Sequence, residues 1–137
     1  MSSANNEIRR RAVAMAREHG WYVFRLQIGH NEAACEWPEG NCKTVRPLDH
    51  WREASSNDPD VIARWDWSDA NAYGIDCDRS GLVIADQDPG AVWPFNGTRV
   101  HSTPRGLHHV YEDVLGLGNA AHVEPWGVDV RGVGVAW

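Results

Sequence analysis

The chain is 137 residues long, with 42% hydrophobic residues, 23% charged residues and a formal net charge of −6. That length suits one domain around one core, and no apolar run approaches the roughly 20 residues of a membrane span. The acidic balance excludes a surface coated in positive charge for nucleic acid, so any such contact must be local, and three cysteines cannot build a disulfide framework.

Arg9, Arg10 and Arg11 are not followed by an apolar stretch, so the start does not read as a secretory signal and a cytoplasmic location is expected. Ile8, Ala12, Met15 and Ala16 recur at helical spacing, which predicts a helix over residues 6–19 closed by Gly20. The next run, Trp21 to Ile28, is rich in aromatic and branched residues and predicts a strand burying Tyr22, Phe24, Leu26 and Ile28.

Residues 30–46 lack periodicity and read as a long loop or a small appendage. His30, Cys35 and Cys42 could offer three zinc ligands, although their spacing fits no common zinc module. Asp58-Pro59-Asp60 combines a capping side chain, a proline at the first helical position and an acid in the first turn, predicting a helix over residues 59–65. Trp51, Trp65 and Trp67 near it read as core packing or, alternatively, as base-stacking surfaces. A short strand around Tyr73 to Ile75 and a turn then lead to the most informative stretch.

That stretch is Gly81-Leu82-Val83-Ile84-Ala85-Asp86-Gln87-Asp88-Pro89-Gly90. A buried strand ends in two acids where the chain should leave the sheet. Alternation would set Asp86 and Asp88 on one face about 6–7 Å apart, where like charges repel unless a cation such as Mg²⁺ or Mn²⁺ sits between them. The other reading is a solvated turn, since Asp, Pro and Gly also favour turns.

Residues 98–102 predict a further short strand, and Thr103-Pro104-Arg105-Gly106 a turn suited to meeting an anion. In the strand that follows, Leu107, His109 and Tyr111 share one face, and His108 and Val110 the other. His109 is read either as a structural histidine or as a functional one. The last strand, from Gly127, buries Val128 and Val130 and puts Asp129 and Arg131 on the opposite face, where a lone acid needs a partner. With only six residues after Arg131, Asp129 is expected to be loosely held.

The order of these pieces resembles the bifunctional DNA primase/polymerase N-terminal domain of the archaeo-eukaryotic primase superfamily. The likeness spans nearly the whole chain. It runs from Gly20-Trp21-Tyr22-Val23-Phe24 through Lys43-Thr44-Val45-Arg46-Pro47, Trp51-Arg52-Glu53-Ala54-Ser55 and Asp58-Pro59. It is most specific at residues 71–75 and at Ser80-Gly81-Leu82-Val83-Ile84-Ala85-Asp86-Gln87-Asp88.

The resemblance implies an α+β fold, a mixed sheet of RRM-like type flanked by helices, and a primase/polymerase working by two-metal nucleotidyl transfer in DNA replication. It implies that Asp86, Asp88 and Asp129 hold two Mg²⁺ or Mn²⁺ ions and that His109 meets the incoming nucleotide, with Thr103, Arg105 and Arg131 beside it. The implied partners are nucleoside triphosphates, a single-stranded DNA template and a replicative helicase, with no membrane. Leu107 stands where the family has a second glycine, which would narrow the pocket or shift the choice between His108 and His109. The family pattern also runs on beyond the third motif, so the expectation is a fragment, a split gene product or a decayed copy. A silent nucleotide- or DNA-binding module and a metal-dependent phosphohydrolase are the alternative functions.

Overall fold

A computed structural model describes residues 2–30, 43–95, 99–103, 106–112, 118–123 and 127–137. Cys35, Cys42 and Arg105 lie outside the described residues, and with them the zinc reading and one expected nucleotide contact. The chain divides into two compact units, residues 1–75 with 136–137 and residues 76–135. The fold is α+β, as the resemblance implied, with its strands in two sheets that contain antiparallel registers.

In the first unit, helix α1 (Ser3–His19) starts where the Ser2 hydroxyl accepts the Asn5 N–H and stops at Gly20, whose left-handed backbone (φ 70°) lets its N–H reach the Ala16 carbonyl at 2.9 Å. Ala12 and Ala16 are its buried residues, and it packs against α3 (Pro59–Arg64), whose Ile62 is fully buried. Asp58 caps α3 as expected, its Oδ1 accepting the Asp60 N–H at 2.9 Å. Strands β1 (Val23–His30), β2 (Lys43–Pro47) and β3 (Ala72–Asp76) form a sheet ordered β2-β1-β3-β9, with β9 (Gly134–Ala136) last. The short helix α2 (Trp51–Ala54) lies between β2 and α3.

Two residues of the 71–75 motif have clear tasks in this unit. Asn71 grips Ile28 of β1 with both ends of its amide, accepting from the Ile28 N–H at 2.7 Å and donating to the Ile28 carbonyl at 2.8 Å. Gly74 lies beneath the Phe24 ring, where a Cβ would overlap it, and Phe24 stacks on Trp51 at 4.8 Å. Trp67 is fully buried, its indole N–H donating to the Ile62 carbonyl at 2.9 Å, which supports the core reading for that tryptophan.

In the second unit, the short helix α4 (Cys77–Ser80) ends at Gly81 (φ 67°) and feeds β4 (Leu82–Gln87). The sheet order is β5-β6-β4-β8-β7, with β5 (Arg99–Thr103), β6 (Gly106–Glu112), β7 (Ala120–Val123) and β8 (Val128–Arg131). Ile84 and Val128, both fully buried, and Leu82, Ala85 and Val110 make its apolar interior.

The expected last strand is two strands. β8 belongs to this sheet and β9 to the other, with Gly132 and Val133 between them. The loose Asp129 expected from its place near the chain's end is corrected by the topology, because β8 lies between β4 and β7. The Asn119 side-chain oxygen also accepts the N–H groups of Gly132 and Val133 at 2.9 and 3.0 Å, tying down the chain just past β8.

Candidate active site

The acid-bearing strand is the middle of its sheet, so its register decides which side chains meet. Across the antiparallel pairs, His101 of β5 faces His108 of β6, His108 faces Asp86 of β4, and Asp86 faces Asp129 of β8. Residues directly opposite in such pairs share a face with Cβ atoms about 4.5–5.5 Å apart. The sheet therefore carries one transverse row, His101, His108, Asp86, Asp129, on a single face.

Within that row, His108 Nε2 lies 3.3 Å from Asp86 Oδ1, and the His101 and His108 rings stand 6.1 Å apart. Asp129 Oδ2 accepts from Arg131 Nη2 at 3.1 Å, the two sharing a face as the sequence suggested. The histidine is enclosed while the acids are open to solvent: side-chain exposure is 5% for His108, 20% for Asp86 and 24% for Asp129. The acids can thus exchange partners with a ligand from solution, whereas His108 is held.

Asp88 is separated from this row. β4 ends at Gln87, and Asp88 is exposed at the head of a turn in which its carbonyl accepts the Ala91 N–H at 3.1 Å. Asp86 thus lies in the sheet and Asp88 in the turn that the Asp-Pro-Gly sequence favours. Thr103 stands opposite Gly106, and its hydroxyl accepts the Gly106 N–H at 3.0 Å, closing the β5–β6 connection.

The alternation of the two histidines is as expected, but the register puts His108 with the acids and His109 on the other face. His109 pairs with Ala85, and its Nε2 lies 2.7 Å from Gln87 Oε1. The Gln87 amide NH₂ donates to the Ala91 carbonyl at 3.0 Å, which turns its oxygen toward His109 and makes His109 Nε2 the proton-bearing nitrogen. Trp93 lies near this ring and donates to the Tyr111 hydroxyl at 2.9 Å. Burial, and after it the neighbouring His108, hold His109 below the ordinary histidine value of 6.5, so it is neutral at pH 7.

The register has a local cause. Gly106 sits so close to the backbone carbonyl of Gln87 that a Cβ would overlap it, so Leu107 comes opposite Gln87 and His108 opposite Asp86. Leu107 is accommodated half-buried on the His109 face. His101 drew no attention in the sequence because only the pairing of β5 with β6 brings it into the row.

Asp86 and Asp129 offer hard oxygen donors from facing positions, which fits Mg²⁺ or Mn²⁺, ions bound through one or two carboxylates with waters and phosphates completing the shell. Among the described residues, no three of His, Cys, Asp and Glu form a ready-made metal cage. No described helix is long and apolar enough to cross a membrane.

The family model for the bifunctional DNA primase/polymerase, N-terminal, matches residues 12–136. Comparison with curated proteins and with solved structures gave no match.

Proposed function

Because the chain belongs to the bifunctional DNA primase/polymerase N-terminal family, we propose that it performs template-directed nucleotidyl transfer on the sheet face carrying Asp86 and Asp129. The observation that carries this reading is the facing pair of partly exposed acids on neighbouring interior strands. In this reading Asp86 and Asp129 would hold the divalent cations, which when bound activate the attacking 3′-hydroxyl and neutralise charge on the triphosphate. Asp88, exposed on the turn that follows β4, would be a further donor to such a cation.

The protein's own groups do the rest. The sheet fixes Asp86 and Asp129 by register, so the oxygens that would hold the cations need no backbone reorganisation when the nucleotide arrives. Arg131, half-exposed and already beside Asp129, can fork onto a phosphate oxygen. His108 is the histidine we assign to this face, and neutral His109 supports the strand from behind through Gln87. Single-stranded DNA as template and nucleoside triphosphates as substrates follow from the family, and a replicative helicase as partner is part of the same proposal.

The test is a labelled primer on a longer template, incubated with the chain, Mg²⁺ or Mn²⁺, and either deoxy- or ribonucleotides. Extension directed by template sequence, with pyrophosphate released, is the expected result. Orthophosphate release without a template would replace the proposal with a phosphohydrolase, and nucleotide binding without any product would replace it with a silent binding module.

A further inference from the structure

Asp86 is the hinge of the transverse row, with the imidazole of His108 on one side and the carboxylate of Asp129 on the other. Two gaps follow, one between Asp86 and His108 and one between Asp86 and Asp129. They lie one strand spacing apart, roughly 4.8 Å. His101 is two strands from Asp86, about 10 Å by the same spacing, too far to join it.

The first gap has a telling width. His108 Nε2 and Asp86 Oδ1 are 3.3 Å apart, longer than the roughly 2.7–2.9 Å of a charge-assisted hydrogen bond between such groups. Two ligands that each sit about 2.1 Å from one cation at a right angle stand roughly 3.0 Å apart. The separation is thus close to that of neighbouring ligands on one ion. The imidazole is also held in place, with only 5% of its side chain exposed, so little ordering would be lost on binding.

We infer that the Asp86 site is a mixed nitrogen–oxygen cation site in which His108 Nε2 is a ligand, selecting Mn²⁺ and its transition-metal neighbours over Mg²⁺. This rests on the proposed cation-dependent reading of the same face and adds to it a ligand and a metal class. Imidazole nitrogen suits first-row transition metals, whereas Mg²⁺ favours an all-oxygen shell. The Asp86–Asp129 gap, with oxygen donors alone, carries no such preference. His109 takes no part, since its Nε2 proton is engaged by Gln87 on the other face.

Electron spin-echo spectroscopy of the Mn²⁺-loaded 137-residue chain reads this directly, because a nitrogen bound to Mn²⁺ modulates the echo. The expected result is a ¹⁴N modulation that converts to the ¹⁵N pattern in protein made with ¹⁵N-histidine, disappears in His108→Asn and persists in His109→Asn. Mn²⁺ should also bind at least tenfold more tightly than Mg²⁺, with the ratio falling in His108→Asn. The labelled wild-type protein keeps the test decisive if the His108 variant does not fold. Bound Mn²⁺ without nitrogen modulation, modulation that survives in folded His108→Asn, or absence of Mn²⁺ binding would each overturn the inference. Primer extension is measured separately, so wild-type extension without a nitrogen signal would remove His108 as a ligand and leave the carboxylate reading standing.

Discussion

His108 and His109 differ in surroundings, and so they should differ in every readout. His109→Asn should leave primer extension within a few-fold of wild type, whereas His108→Asn should lower it by at least tenfold, as checked by initial extension rates. His109 also has a signature in stability. Its folded pKa lies below the ordinary 6.5, so below about that pH the unfolded chain binds a proton that the native protein resists. Stability should therefore fall as pH drops from 7 toward 5. Melting temperatures across that range should decline less steeply in His109→Asn than in wild type, and an equal slope would contradict the assignment. The sequence revealed that the two rings point oppositely but not which one meets the acids, because register depends on the close approach of Gly106 to the Gln87 carbonyl. Gly106→Ala should cost roughly 1–3 kcal/mol through overpacking and should weaken the pairing of His108 with Asp86, seen as a loss of both denaturant stability and extension.

Strands whose side-chain pattern agrees with their surroundings were legible, and those made by pairing alone were not. α1, β1, α3, β4 and β6 carry period, caps or branched residues that announce them. β7 has only Ala120, Ala121, His122 and Val123, and becomes a strand by lying beside β8. β2 was hidden within a stretch read as a loop, although it pairs residue by residue with β1. The division of β8 from β9 did leave a trace: Val128 and Val130 keep one parity and Val133 and Val135 the other, with the change at Gly132. Asn119 is the residue that makes this break secure. Asn119→Ala leaves the part-buried Gly132 N–H and the exposed Val133 N–H without their acceptor, and for the Gly132 donor the unmade bond costs about 1–3 kcal/mol. The variant should lose stability in that range by denaturant titration and should show faster amide exchange at Gly132 and Val133.

For the molecule as a whole, the family gives the activity class and the register brings the candidate acids together. The sequence marked Asp86 and Asp129 before any pairing was known, and their strands prove to be neighbours with the two acids opposite each other. What it could not mark was the row itself, since His101, His108, Asp86 and Asp129 come from four strands spread over 44 positions of the chain. The first unit contributes its own rigidity through Trp67, whose truncation to Ala should cost roughly 3–5 kcal/mol. Template-directed primer extension by wild type, Asp86→Asn and Asp129→Asn is the deciding measurement. Removing a ligand to catalytic cations forfeits several kcal/mol of transition-state stabilisation, so each variant should retain its fold and lose about 100-fold or more of the wild-type rate. Extension at the wild-type rate in either folded variant would contradict a site built on the facing pair.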